Sequence, residues 1–301
     1  MIHGIINVYK EKGYTSHDVV ARLRGILKQK KIGHTGTLDP DAEGVLPICL
    51  GKATKVCDLL TDKDKIYETI LLLGKSTDTQ DISGKVLNKK EVECSIKEAY
   101  EVIQGFKGKG EQIPPMYSAL KVDGKRLYKL AREGKTVERK PRPITIHDIM
   151  IREVLLPRIS MTVHCSKGTY IRTLCHDIGE KLICGGCMEQ LLRTKVDRFV
   201  IEDSLRLEQI EILSDIGQLQ EHIMPIETVF SEYAKVKVKG EFTNLLDNGN
   251  TLFDRHIEQP EDLGDYGLVR VCDDTGEFRA VYEYNKRENR FKMVKNFSTT
   301  K

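Results

Sequence analysis

No long apolar run occurs in this chain of 301 residues. The longest stretches, around Ile70–Leu73 and Val45–Leu50, are far too short to span a bilayer, so no membrane partner is expected. An excess of one charge sign is missing as well. Lys plus Arg number 48 against 45 Asp plus Glu, a formal net charge of +3, which by itself argues against a polyanion-binding protein. Nor is there a disulfide framework, because the eight cysteines are scattered through a large chain. Only Cys184-Gly185-Gly186-Cys187, with Cys175 and His176 upstream, has suggestive spacing. A lone CxxC without a second pair reads first as a glycine turn flanked by packed thiols, and only secondarily as a zinc or redox site. The opening residues, Met1 to Ile6, lack a basic n-region followed by an apolar segment and a cleavage site. The expected location is therefore the cytoplasm.

What is present fits a folded protein: 40% hydrophobic and 31% charged residues, in a chain long enough for one large core plus a small second domain. The near-neutral charge conceals a division. Residues 200–301 carry 13 basic and 20 acidic side chains, leaving 35 basic and 25 acidic for residues 1–199. The front is thus +10 and the tail −7. Within the front, 121–142 holds nine cations against Asp123, Glu133 and Glu138, interleaved with Leu127, Tyr128 and Leu130. That segment reads either as a solvated charged helix or as a phosphate-binding surface.

Periodicity predicts a strand over Gly4–Val8, then a helix from Ser16 capped by Thr15 or Ser16, with Val19, Leu23 and Ile26 on one face. Three glycines and Pro40 rule out a regular element from Gly33 to Gly44. Val45–Leu50, a helix to Leu60 and a buried strand over Ile66–Leu73 follow. Further on come a helix capped by Ser95, a surface insertion over 107–143, a strand over Ile159–Cys165 and a helix over Tyr170–Leu182. From Lys235 the short alternating runs Leu268–Val271, Phe278–Tyr284 and Phe291–Val294 predict a small β domain.

The Gly33–Gly44 loop is the least ordinary stretch. Asp39-Pro40-Asp41-Ala42-Glu43-Gly44 imitates half an EF-hand, but Leu50 stands where the bidentate Glu is required. No Gly-Lys-Ser/Thr follows its glycines, so it is not a phosphate-cradling loop. What remains is Asp39, pinned before Pro40. It reads either as a turn cap or as a rigid platform for a nucleophile or general base. Taken singly, Tyr67 is a core aromatic, Arg172 a surface ion pair, His34 a loop histidine and Asp81 a turn residue.

Gly33-His34-Thr35-Gly36-Thr37-Leu38-Asp39-Pro40 followed by Gly44-Val45-Leu46-Pro47 resembles the signature of the TruB family, the bacterial tRNA pseudouridine-55 synthases. Lys65-Ile66-Tyr67, Thr77 to Asp81 with Gly84, Pro114 to Lys121 and Ser166 to Leu174 resemble family blocks in the family's order. Together they span about residues 4–200. Leu192 departs from the arginine usual there, and Cys187 stands where a histidine often does.

The resemblance implies an α/β (α+β) fold with a mixed-sheet catalytic domain over 1–230, an RNA-binding thumb over 107–143, and a PUA-like, barrel-like β domain over 231–301. It implies isomerisation of a uridine in the tRNA T-loop, with the T-arm as partner, no cofactor, no metal, and a monomeric enzyme. Asp39 matches the catalytic aspartate, which attacks the ribose C1′, attacks the base, or assists elimination toward a glycal. Tyr67 matches the tyrosine that stacks on the target base and is open to helping remove a proton, and Arg172 the arginine paired with the aspartate. His34 matches the histidine that fills the flipped nucleotide's space. Tyr170 and Leu191 match pocket-lining positions, with Asp81 supporting the pair. Lys125, Arg126 and Lys129 lie in the basic segment that resembles the family's thumb, where their charge is expected to meet backbone phosphates. Two other readings remain: a non-catalytic RNA-binding factor on the same scaffold, and a metal or redox switch built on Cys184 and Cys187.

Overall fold

A computed structural model describes residues 1–122, 124–258, 263 and 266–298. The first part is a nine-stranded mixed sheet. Its main path runs Gly4–Lys10, Glu43–Leu50, Gly186–Val196, Lys65–Leu73, Arg158–Cys165, Arg142–Leu155, Gly108–Gln112. Ile32–His34 joins beside Glu43–Leu50, and Phe199–Val200 beside Gly186–Val196. Every pairing in this sheet is antiparallel except one. Glu43–Leu50 meets Gly186–Val196 in parallel through only two residue pairs, Leu192 with Glu43 and Arg193 with Gly44.

That short seam lies where the Asp39 loop re-enters the sheet, and a glycine makes it feasible. Gly44 has φ +105°, and a Cβ there would sit 2.2 Å from the Arg193 carbonyl oxygen. The irregular loop is accordingly shorter than its glycines suggest. Gly33 and His34 belong to one strand, and Glu43 and Gly44 begin another. Gly44 breaks no strand; its left-handed backbone is what lets two strands approach.

Helix Ser16–Ile26 begins with a capping box in which the Thr15 hydroxyl accepts from Asp18 N at 3.1 Å and Thr15 N donates to the Asp18 carboxylate at 2.8 Å. With Thr15 as the cap, the Ser16 side chain turns elsewhere. Its Oγ accepts the Leu38 N–H at 2.9 Å and so holds the Asp39 loop. Ser95 and Glu98 build the same box before helix Ile96–Gln104. Strand Lys65–Leu73 alternates, with Lys65, Tyr67, Thr69, Leu71 and Leu73 buried on one face. Helix Ile171–Lys181 packs on this sheet with Gly179 so close to Gly186 that a Cβ would lie 2.1 Å from the Gly186 nitrogen. At the Cys184–Cys187 turn both thiols are buried and unbridged.

Both ends of segment 107–143 are sheet, since Gly108–Gln112 pairs with Arg142–Ile146. Only 113–141 leaves the sheet. It carries a hairpin (Lys121–Val122 with Lys125–Arg126) and a short helix, Leu127–Arg132, anchored by buried Leu127 and Leu130. Instead of one helix to Leu60, a 3-10 turn over Gly51–Val56 precedes helix Cys57–Thr61.

The tail forms a separate six-stranded, barrel-like sheet in the order Leu252–Phe253, Arg290–Asn296, Phe278–Asn285, Tyr266–Cys272, Ala234–Val238, Ile257–Glu258. Its Val281 and Phe297 share an apolar cluster with Ile5, Val45, Cys49 and Phe230, so the tail is seated on the main sheet. No helix among the described residues is long and apolar enough to cross a membrane.

Replacing Gly44 by Ala should destabilise the chain by about 3 kcal/mol, from the left-handed backbone and the clash with Arg193 together. Urea denaturation checks this, and an unchanged midpoint would dismiss the seam as a constraint.

Candidate active site

The Asp39 loop is held from several sides. The Pro40 carbonyl accepts Gly13 N–H at 2.9 Å and Lys10 Nζ at 3.1 Å, while Lys10 also donates to the Tyr14 carbonyl at 2.6 Å. Lys10 is almost wholly buried, and burial lowers its ammonium to about 8 despite the nearby carboxylates of Glu43, Asp39 and Asp41. The Thr35 backbone N–H and hydroxyl both reach the Pro47 carbonyl at 3.2 Å.

Arg172, in the first turn of helix Ile171–Lys181, is buried and turned on Asp39. Its Nε lies 2.9 Å from Oδ2 and its Nη2 3.2 Å from Oδ1, a two-pronged ion pair. The remaining donors reach the Thr79 carbonyl at 3.2 Å, the Tyr117 carbonyl at 2.9 Å and Asp81 Oδ2 at 3.5 Å. One guanidinium thus joins the Asp39 loop, the 79–81 turn and the base of the excursion. Asp81 is itself fixed, accepting from Thr79 Oγ1 at 2.7 Å and Ser83 Oγ at 2.6 Å. Burial pushes the Asp39 carboxyl above the ordinary aspartate range; Arg172 pulls it back, while Asp81 adds to the rise.

Tyr67 lies on the inward face of its strand, directly across from Arg193 on the neighbouring strand. Its phenol is raised by burial, with Arg193 acting in the opposite sense through charge and a hydrogen bond. Arg193 is 1% exposed, donating from Nε to the Val45 carbonyl at 2.7 Å and from Nη2 to Gly36 O at 3.5 Å. Leu191 packs on the same apolar cluster as Tyr67 and Leu38. Tyr170 caps the Arg172 helix, its N–H and carbonyl gripped by the Gln112 amide at 2.8 and 3.0 Å. Burial raises its phenol, with Ser118 and Arg172 opposing.

His34 ends its strand with Nδ1 accepting Gly36 N–H at 3.3 Å, and its ring meets His17 edge-on at 5.1 Å. Burial, then the neighbouring His17 and Arg193, lower its pKa, which favours the neutral imidazole. His17 in turn lines a cavity of about 570 Å³ with Lys121, Lys125, Arg126, Tyr128 and Lys129. Arg126 and Arg132 lie over the Tyr128 ring at 6.0 and 5.6 Å.

The structure therefore brings Asp39, Arg172 and Asp81 into contact, sets Tyr67, Leu191 and Tyr170 around them, and puts Lys125, Arg126 and Lys129 on a cavity also lined by His17, whose ring meets His34. Sequence reasoning gave no role to Lys10, His17, Gln112 or Arg193. Arg193 carried a readable signal, since it has the same strand parity as Leu191. The signals for the others lie in tertiary contacts alone.

A family model described as the N-terminal domain of TruB family pseudouridylate synthases matches residues 24–171. A second, the tRNA pseudouridylate synthase B C-terminal domain, matches residues 172–231. A protein of Lachnoclostridium phytofermentans called tRNA pseudouridine synthase B is 52% identical, covering 98% of this chain and 100% of that one. One of Clostridium kluyveri with the same name is 46% identical over 98% of this chain and 99% of its own. Among solved structures, a Cbf5-Nop10-Gar1 complex aligns with a TM-score of 0.72 at 26% identity, covering 98% of this chain and 85% of that chain. An H/ACA RNP bound to a substrate RNA shares the fold, with a TM-score of 0.71 at 24% identity over 98% and 85% of the two chains. With near-complete coverage at such identity, and with Asp39 and Arg172 meeting as the family blocks imply, the chain belongs to the TruB family of pseudouridylate synthases.

Proposed function

We propose that the chain isomerises the T-loop uridine of tRNA to pseudouridine-55, and the observation that carries this is the two-pronged Arg172–Asp39 pair held beside Tyr67. The reaction breaks the N1–C1′ bond and forms C5–C1′; C5 gives up a proton and N1 gains one. No electrons are transferred and no outside group is consumed. The chemistry calls for a carboxylate fixed at C1′, an aromatic face for the base and exclusion of water.

Asp39 supplies the carboxylate, and Arg172 fixes its plane and offsets part of the cost of keeping it charged. A duplex or stacked loop hides the target, so the nucleotide must swing out. Tyr67 offers the stacking face, worth about 1–3 kcal/mol per base. Leu191 and Tyr170 close the walls, Asp81 steadies Arg172, and neutral His34 takes the place the nucleotide leaves. Lys125, Arg126 and Lys129 meet backbone phosphates of the T-arm, which positions the RNA without reading its sequence. Residues 1–230 act as the catalytic unit and 231–301 as a PUA-like domain.

With tRNA tritiated at uridine C5, wild type should release label and Asp39→Ala should not. Equal release by both would remove Asp39 from the chemistry, and release by neither would favour an RNA-binding factor. In single turnovers the rate should rise with pH as Asp39 ionises. Because burial raises its pKa, that acid limb should lie above the ordinary aspartate value of about 3.9. A limb at or below that value would contradict the proposed burial of the charge. Changing Lys125, Arg126 and Lys129 to Ala should weaken tRNA binding and flatten the slope of log K against log salt by roughly 2–3. An unchanged slope would reject the phosphate contacts.

A further inference from the structure

The face of the main sheet opposite Tyr67 carries a second polar cluster. Strand neighbours alternate between faces, and it is Ile66, not Tyr67, that pairs with His164. Beside His164 the Arg142–Leu155 strand is bulged: Ile146 pairs with Cys165 and Asp148 with His164, leaving His147 between them without a partner. A bulge re-aims a side chain that regular pleating would send elsewhere. Here it brings the His147 ring within 4.7 Å of the His164 ring and His147 Nε2 to 3.1 Å from Asp64 Oδ2. Asp64 directly precedes the strand that bears Tyr67. One donor atom from each of Asp64, His147 and His164 lies within 4.8 Å of the other two.

We propose that Asp64, His147 and His164 form a binding site for one divalent transition-metal ion of zinc's ligand preference. Two imidazoles and one carboxylate suit zinc, cobalt or nickel; magnesium and calcium ask for an all-oxygen shell. At metal–ligand distances of about 2.0–2.1 Å, tetrahedral donors stand roughly 3.3 Å apart. The Asp64–His147 separation of 3.1 Å already meets this. His147 and Asp64 are exposed, so small rotations close the rest. Three protein ligands leave a fourth position open. It has room to receive water or a small anion, because Asp64 and His164 also line a cavity of about 440 Å³ whose wall includes Asp62, Lys63, Lys195 and Asp197. A bound ion would tie the bulged strand and its neighbour to the 62–64 segment. The site shares no residue with the proposed uridine chemistry.

The test is cobalt(II) titration of the chelator-treated full-length chain, followed by visible absorption and equilibrium dialysis with metal analysis. One equivalent should bind, with d–d bands and no thiolate charge-transfer band in the near ultraviolet. His147→Ala and His164→Gln should each weaken binding by at least about 100-fold. Asp64→Asn, which preserves shape, should weaken it as well. A thiolate band would move the metal to the cysteines and overturn the assignment. Binding unaltered in the histidine variants would do the same, as would no binding at millimolar cobalt.

Discussion

A buried guanidinium must find acceptors, and in this molecule that requirement organises the site. Arg172 has given up water, and its donors are met by Asp39, Asp81 and the carbonyls of Thr79 and Tyr117. These acceptors come from segments far apart in sequence. The arginine is therefore a hub on which a loop, a turn and the base of the excursion converge, and breaking one spoke leaves a buried charge short of partners. The same geometry holds the Asp39 carboxylate in one plane.

Arg172 does not act alone. Lys10 reaches the Pro40 carbonyl, and Arg193 points toward the Gly36 carbonyl. Three buried cations thus grip one short loop, at Gly36, Asp39 and Pro40. Burial lowers the pKa of both Lys10 and Arg193, a sign that the fold carries a desolvation cost at each. Apolar residues would fill these positions more favourably, but they would leave loop carbonyls without donors. Stability is given up here for a carboxylate that cannot wander. The raised pKa of Asp39 has the same origin, since a dry pocket strengthens the reactive charge while making it harder to keep.

Much of this was legible in the sequence because the information is local. The capping boxes at Thr15 and Ser95, the amphipathic helices and the alternating tail strands follow from neighbours within a few residues. The three residues proposed for the chemistry were legible for a different reason: the blocks around Asp39, Tyr67 and Arg172 resemble a known family in a fixed order. Periodicity alone would have left Tyr67 in the core and Arg172 on the surface. Tertiary relations stayed hidden. Gly44 reads as a loop glycine until its approach to Arg193 is seen, and Ser16 reads as a cap until it is found holding Leu38. His147, His164 and Asp64 meet only because a bulge turns one histidine, and bulges leave little trace in composition.

The placement of charge follows the same logic. The acidic tail at first sits uneasily on an RNA-modifying enzyme. Several of its cations, however, are already engaged. Lys235 and Arg270 face Glu227, Lys237 faces Glu258, Arg290 faces Glu288, and Arg279 lies between Asp273 and Glu277. Lys295 reaches across to Asp58 on the main domain. The exposed pairs among these add little stability singly, yet each cation so paired is less available to a phosphate. In the excursion the balance is reversed, with nine cations and three acids over 121–142. Screening confines attraction to about 8–10 Å at physiological salt. A polyanion will therefore be drawn to the excursion and the cavity beside His17, and on the tail it will find only local footholds. Net charge summed over the whole chain hides this polarity, and it is the polarity that would orient an RNA on the enzyme.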